Sequence, residues 1–131
     1  MKLILSTLVF ISSFAGFAQS GDTLCNQLPL TRVEKVASDN GAISKSIAKN
    51  LPSSLKKGKH SGVFKIVVDC NGVGADVKFQ RGDLTSLEQS QLIDWMIPTM
   101  WIAAVDKGKP VTSMVFVTVN IEDGKVDVIV Q

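Results

Sequence analysis

The chain has 131 residues, 45% of them hydrophobic and 20% charged, which fits one ordinary folded domain rather than a disordered chain. A formal net charge of +2, no Tyr, two Trp and six Phe supply neither the basic surface nor the stacking platforms that nucleic-acid binding uses. Nucleic acid is excluded as the expected partner on those grounds.

In chain order, Met1 and Lys2 give a positive start, Leu3 to Phe17 an apolar run, and Ala15-Gly16-Phe17-Ala18 a small-residue close. That is the pattern of a secretory signal peptide over residues 1–18, with Gln19 as the expected new amino terminus. The run is shorter than the ~20 apolar residues a spanning helix needs, so no membrane span is expected after cleavage and the product is expected in the periplasm or outside the cell. Asp22-Thr23-Leu24 before Cys25 lacks the small residues a lipidated cysteine wants. Export puts Cys25 and Cys70 where disulfides persist. They make a disulfide candidate that would close a long loop for roughly 4 kcal/mol in the chain-entropy model, the alternative being two unpaired thiols.

Residues 19–41 read as a polar, turn-rich amino-terminal arm with Pro29 and one helical turn around Arg32 to Val36, and residues 42–131 as the domain proper. Ile43, Ile47 and Ala48 recur at helical spacing from Ala42 to Lys49, and Pro52 stops the pattern. Lys45, Lys49, Lys56, Lys57 and Lys59 form the most basic stretch, read as a solvated face, with docking of an acidic partner or of cell-wall polymer as the alternative. Phe64, Ile66 and Val68 alternate with Lys65 as on a half-buried strand, Asp69-Cys70-Asn71-Gly72 is turn chemistry, and Val73, Ala75, Val77 and Phe79 return as the inward side of a second strand. After Arg81-Gly82 the period becomes helical. Thr85 or Ser86 is placed to cap with Glu88 or Gln89, Leu87, Leu92, Trp95 and Met96 give the apolar side, and Glu88, Gln89, Gln91 and Asp94 face water. Arg81-Gly82-Asp83 spells an integrin-binding tripeptide, a match short enough to arise by chance.

Trp101 and the Gly108-Lys109-Pro110 loop lead to a long strand over Val111 to Ile121, with Val115 and Val117 in its core set and Met114, Phe116, Thr118 and Asn120 on the opposite face. Glu122-Asp123-Gly124 is a turn, and Val126, Val128 and Val130 mark a possible short extra strand. The expected fold class is therefore α+β, a small antiparallel sheet in the order helix, strand, strand, helix, strand, with two helices on one face.

No metal, cofactor or catalytic constellation is expected. The chain has one histidine, His60, and neither it nor Asp69 and Cys70 has a partner spaced for metal ligation, acid–base or nucleophilic chemistry. The protein is read as not an enzyme.

The ordered set of Gly62-Val63, the Asp69 to Gly72 turn, Val77 with Arg81-Gly82, the Leu87 to Met96 helix, Trp101 with Ala103 or Ala104, and Gly108-Lys109-Pro110-Val111 resembles the carboxy-terminal domain of TonB. The resemblance runs from about Ile43 to Ile121. It implies a TonB-like sheet that binds an extended peptide or protein strand in the cell envelope by edge-strand addition, linked to outer-membrane transport. TonB proteins carry an uncleaved anchor and a long Pro-rich spacer, whereas this chain has four prolines, so a stand-alone exported module is the expectation. Carried onto this sequence, the partner-binding residues are Met114, Phe116, Thr118 and Asn120. The alternative is a small secreted structural or inhibitor-type protein whose last strand forms a homodimer.

Overall fold

A computed structural model describes residues 28–131. The signal-peptide reading of residues 1–18 and the Cys25 half of the expected disulfide lie outside the described residues. The element order is helix α1 (Ala42–Lys49), a 3-10 turn (Ser53–Leu55), strands β1 (Lys59–Val68) and β2 (Gly74–Gly82), and helix α2 (Ser86–Met96). Strands β3 (Ala104–Asp106), β4 (Lys109–Val111), β5 (Ser113–Glu122) and β6 (Lys125–Val130) follow. The architecture is α+β. One antiparallel sheet has the order β2-β1-β5-β6, and β3 and β4 form a separate two-stranded ribbon.

Period-two alternation builds the core. Phe64, Ile66 and Val68 on β1 and Val115, Val117, Val119 and Ile121 on β5 point to one face, where all are buried. Ile43 and Ile47 of α1 and Leu92 and Met96 of α2 close over them, with α1 lying against β6, α2 against β2, and the helices touching each other. Gly41 enters α1 at φ 79, and the Asp39 carboxylate accepts from the Ile43 N–H at 3.0 Å, satisfying one of the donors that a helix start leaves open. Lys45 and Lys49 stay exposed on its other side, and Ala48, grouped by spacing with Ile43 and Ile47, is exposed rather than part of the buried face.

Helix α2 starts with the reciprocal arrangement that Thr85-x-x-Glu88 encodes. The Thr85 hydroxyl accepts from the Glu88 N–H at 3.2 Å and the Glu88 carboxylate accepts from the Thr85 N–H at 2.9 Å. Its first turn reverses the expected faces: Glu88 is 6% exposed and Leu87 is 69% exposed. The cap explains this, because the Glu88 carboxylate must turn inward to reach Thr85 and also accepts from the Ser54 hydroxyl at 2.6 Å. The apolar position is taken by Leu84, just before the cap. These bonds to Ser54 and to Thr85 hold the Glu88 carboxyl below its ordinary pKa.

The turn between β1 and β2 follows from its residues. Asp69 accepts from the N–H groups of Asn71 at 2.8 Å and Val73 at 2.9 Å, and Gly72 adopts φ 83. Gly72 also meets the chain that leads to β5: the Trp101 N–H donates to the Gly72 carbonyl at 3.0 Å, and a Cβ on Gly72 would collide with the Trp101 carbonyl oxygen. Trp101 is thereby buried across the turn. Cys70, half-buried in the same turn, is disulfide-bonded.

Three further expectations change. The arm is extended over residues 28–38 rather than helical at Arg32 to Val36, because its N–H groups go to other segments: Leu30 to the Thr112 carbonyl, Lys35 to Val105 and Ser38 to Ile102, each at 3.0 Å. Ala37 and Asp39 are buried, so this part of the arm is packed into the domain. Strand β2 begins at Gly74, leaving Val73 exposed beside Met100; register shifts after Val63 and Lys65 and Asp76 at φ 55 then break its alternation, so Ala75 is exposed and Val77 and Phe79 are half-buried. The long final strand is two strands. Val111 pairs with Ala104 in the ribbon, and β5 starts at Ser113.

Candidate functional site

The expected binding strand is interior to the sheet. All ten residues of β5 pair with β1, Val117 to Glu122 pair with β6, Phe116 exchanges backbone bonds with Gln131, and the Met114 N–H donates to the Leu30 carbonyl. Met114, Phe116, Thr118 and Asn120 therefore cannot capture a strand through the β5 backbone. They form instead a stripe along the outer face of the sheet, opposite the helices, with Phe116 41% exposed and the other three half-buried.

The sheet has two edges, β2 and β6. Strand β2 is a poor template, because its two bulges, Asp76 at φ 55 and Gly82 at φ 136 interrupt the ladder, and Lys78 and Arg81 are exposed along it. Strand β6, reading KVDVIV, runs in unbroken register against β5 and contains neither proline nor a bulge.

The hydrogen-bond alternation shows which β6 groups face outward. Gln131 and Phe116 exchange both backbone bonds, at 2.8 and 2.9 Å, so Ile129, Asp127 and Lys125, two, four and six residues back, also turn their backbone groups toward β5. The N–H and C=O groups of Val126, Val128 and Val130 then point away from it along the free edge. Their side chains are half-buried and face α1, whereas Lys125, Asp127 and Ile129 are exposed on the outer face.

Each end of this edge has its own surroundings. At the Val130 end, Leu30, Val33 and Val36 of the arm meet Met114 and Phe116 around a depression of about 140 Å³. At the Lys125 end is an open basin of about 780 Å³ whose floor is two rows of paired residues, Ser61, Asn120 and Asp127, then Lys59, Glu122 and Lys125. Three of the basin carboxylates are engaged: Asp83 accepts from the Ser61 N–H at 2.8 Å, Asp123 from the Gly58 N–H at 3.0 Å, and Glu122 lies 3.7 Å from the Lys59 ammonium. Asp127 has no such partner among the described residues.

The residues weighed for catalysis are not assembled. His60 donates through Nε2 to the Lys57 carbonyl at 2.8 Å, near the start of β1. Asp69 and Cys70 follow the other end of that ten-residue strand, roughly 30 Å away at about 3.3 Å per residue. Asp69 is spent on its turn and Cys70 on a disulfide. Among the described residues, no helix is long and apolar enough to cross a membrane.

The candidate features that residue patterns missed are the β6 edge itself, Asp127, and Leu30 with Val36. The alternation of Val126, Val128 and Val130 was visible in the sequence, but alternation assigns faces and not neighbours. Comparisons with family models, with curated proteins and with solved structures find no match.

Proposed function

We propose that this protein is a non-catalytic interaction module of the cell envelope that binds an extended peptide or protein strand by adding it to β6. The observation that carries the reading is the outward backbone of Val126, Val128 and Val130 on a regular, unbulged edge. Such an edge gives affinity through main-chain bonds and selects through alternate side chains. The ordered sequence resemblance to the TonB carboxy-terminal domain and the secretory pattern at residues 1–18 support a periplasmic or secreted setting and a link to outer-membrane transport.

The same edge favours a second reading, a homodimer in which two copies join through β6 across a two-fold axis. Sizing of the purified protein separates the two. The first reading is tested by affinity capture from an envelope fraction with wild type and Val128→Pro side by side. Wild type retains a partner and the variant loses it; equal retention by both would refute strand addition at β6.

A further inference from the structure

We infer that the strand accepted by β6 is an antiparallel segment carrying a large apolar side chain followed, four residues later, by a lysine or arginine. This rests on the strand-addition reading and adds to it the chemistry of the partner.

The spacing comes from the ladder. Outside β6, residues opposite Asp127 and Gln131 would stand in non-hydrogen-bonded positions, where facing side chains of antiparallel strands approach closest. Both positions are on the outer face, because Asp127 pairs with Asn120 and Gln131 with Phe116. They are four residues apart, so one incoming strand reaches both with side chains on the same side. Antiparallel addition continues the sense of every pairing in the sheet and fixes the order, with the residue opposite Gln131 coming first.

The surroundings fix the chemistry. A residue opposite Gln131 lies at the depression walled by Leu30, Val36, Met114 and Phe116. Its volume of about 140 Å³ is close to the ~150 Å³ apolar cavity that takes up a benzene ring, so it suits one ring or one branched aliphatic side chain. A residue opposite Asp127 enters the basin, which holds the carboxylates of Asp83, Glu122, Asp123 and Asp127 against the ammonium groups of Lys59 and Lys125. The imbalance favours a cation, and Asp127 is the basin carboxylate with no partner to give up among the described residues.

The test uses the mature chain and four synthetic nine-residue peptides of alternating threonine and valine. The first carries leucine at its third position and lysine at its seventh. The second replaces that lysine by glutamate, the third replaces the leucine by threonine, and the fourth has the leucine and lysine exchanged. The first is expected to bind at least tenfold more tightly than each of the others. Asp127→Lys should reverse the preference between the first and second peptides, and Val128→Pro should weaken all four. If all four bind alike and Val128→Pro still weakens them, the inferred partner chemistry falls while strand addition stands. No binding of any peptide at millimolar concentration, or binding indifferent to Val128→Pro, would overturn both.

Discussion

Two proline substitutions on adjacent residues of β6 separate its two edges. The N–H of Val128 points to the free side, whereas that of Ile129 points to Thr118 on β5. Val128→Pro removes a donor that no strand among the described residues uses, at an edge position where proline is tolerated. Its folding cost should stay near 1 kcal/mol, from the changed φ and from lost packing of a half-buried valine under α1. Ile129→Pro removes a ladder bond, leaves the Thr118 carbonyl unpaired and drives the ring toward β5, so roughly 2–4 kcal/mol is expected. Binding should follow the opposite order of cause. Val128→Pro deletes one main-chain bond to an added strand and places a ring in its path, a loss of about 1.4 kcal/mol or more, which is tenfold or more in Kd. Urea unfolding of both variants, with binding of the leucine- and lysine-bearing peptide to each folded protein, reads the two effects. A Val128→Pro protein that unfolds as readily as Ile129→Pro, or that binds like wild type, would refute the assignment of outward backbone groups.

Four further outcomes are expected. Ser54→Ala removes the shortest bond to Glu88 and should cost about 1–2 kcal/mol at pH 7. Because the folded Glu88 pKa is depressed, the stability it contributes is present above the ordinary carboxyl pKa of about 4.3 and lost as pH falls below it. The difference between Ser54→Ala and wild type should therefore shrink toward pH 3, as read by unfolding at both pH values. Gly72→Ala and Gly108→Ala both place a Cβ at positive φ, but the first meets the Trp101 carbonyl and the second open space. The second should cost about 1 kcal/mol and the first several, measured by thermal melting. Leu84→Ala should lose about 2–4 kcal/mol, whereas Leu87→Gln should change stability by no more than about 0.5 kcal/mol. We propose that Cys25 is the partner of the disulfide-bonded Cys70, as the chain has two cysteines. Intact-mass measurement should then show a two-dalton deficit, and Cys70→Ser should lower stability by roughly 4 kcal/mol.

The layers of the fold were legible because each rests on a local rule. Phe64, Ile66 and Val68 alternate, Ile43 and Ile47 recur at helical spacing, and Thr85 with Glu88 is a cap with its own geometry. The same cap shows where periodicity fails: a helical wheel puts Glu88 in water and Leu87 inside, but two hydrogen bonds outrank the wheel. The arm was unreadable for a different reason. Leu30, Lys35 and Ser38 are held by carbonyls about 65 to 80 residues further along the chain, and no local pattern records such partners. The candidate site was half legible. Met114, Phe116, Thr118 and Asn120 do share an outer face, yet the strand that carries them has neighbours on both sides. Placing the edge required knowing that Lys125 to Val130 folds back on β5, which depends on the order of strands in the sheet.

Residue-resolved amide hydrogen exchange, with and without the leucine- and lysine-bearing peptide, tests strand addition most directly. In the free protein, Asp127 and Ile129 amides are bonded to β5 and should exchange slowly, while those of Val126, Val128 and Val130 exchange fast. On peptide addition the three valine amides should become protected, with little change at Asp127 and Ile129. Protection appearing along β2 instead, or valine amides that stay fast while the peptide is bound, would contradict a fifth strand on β6.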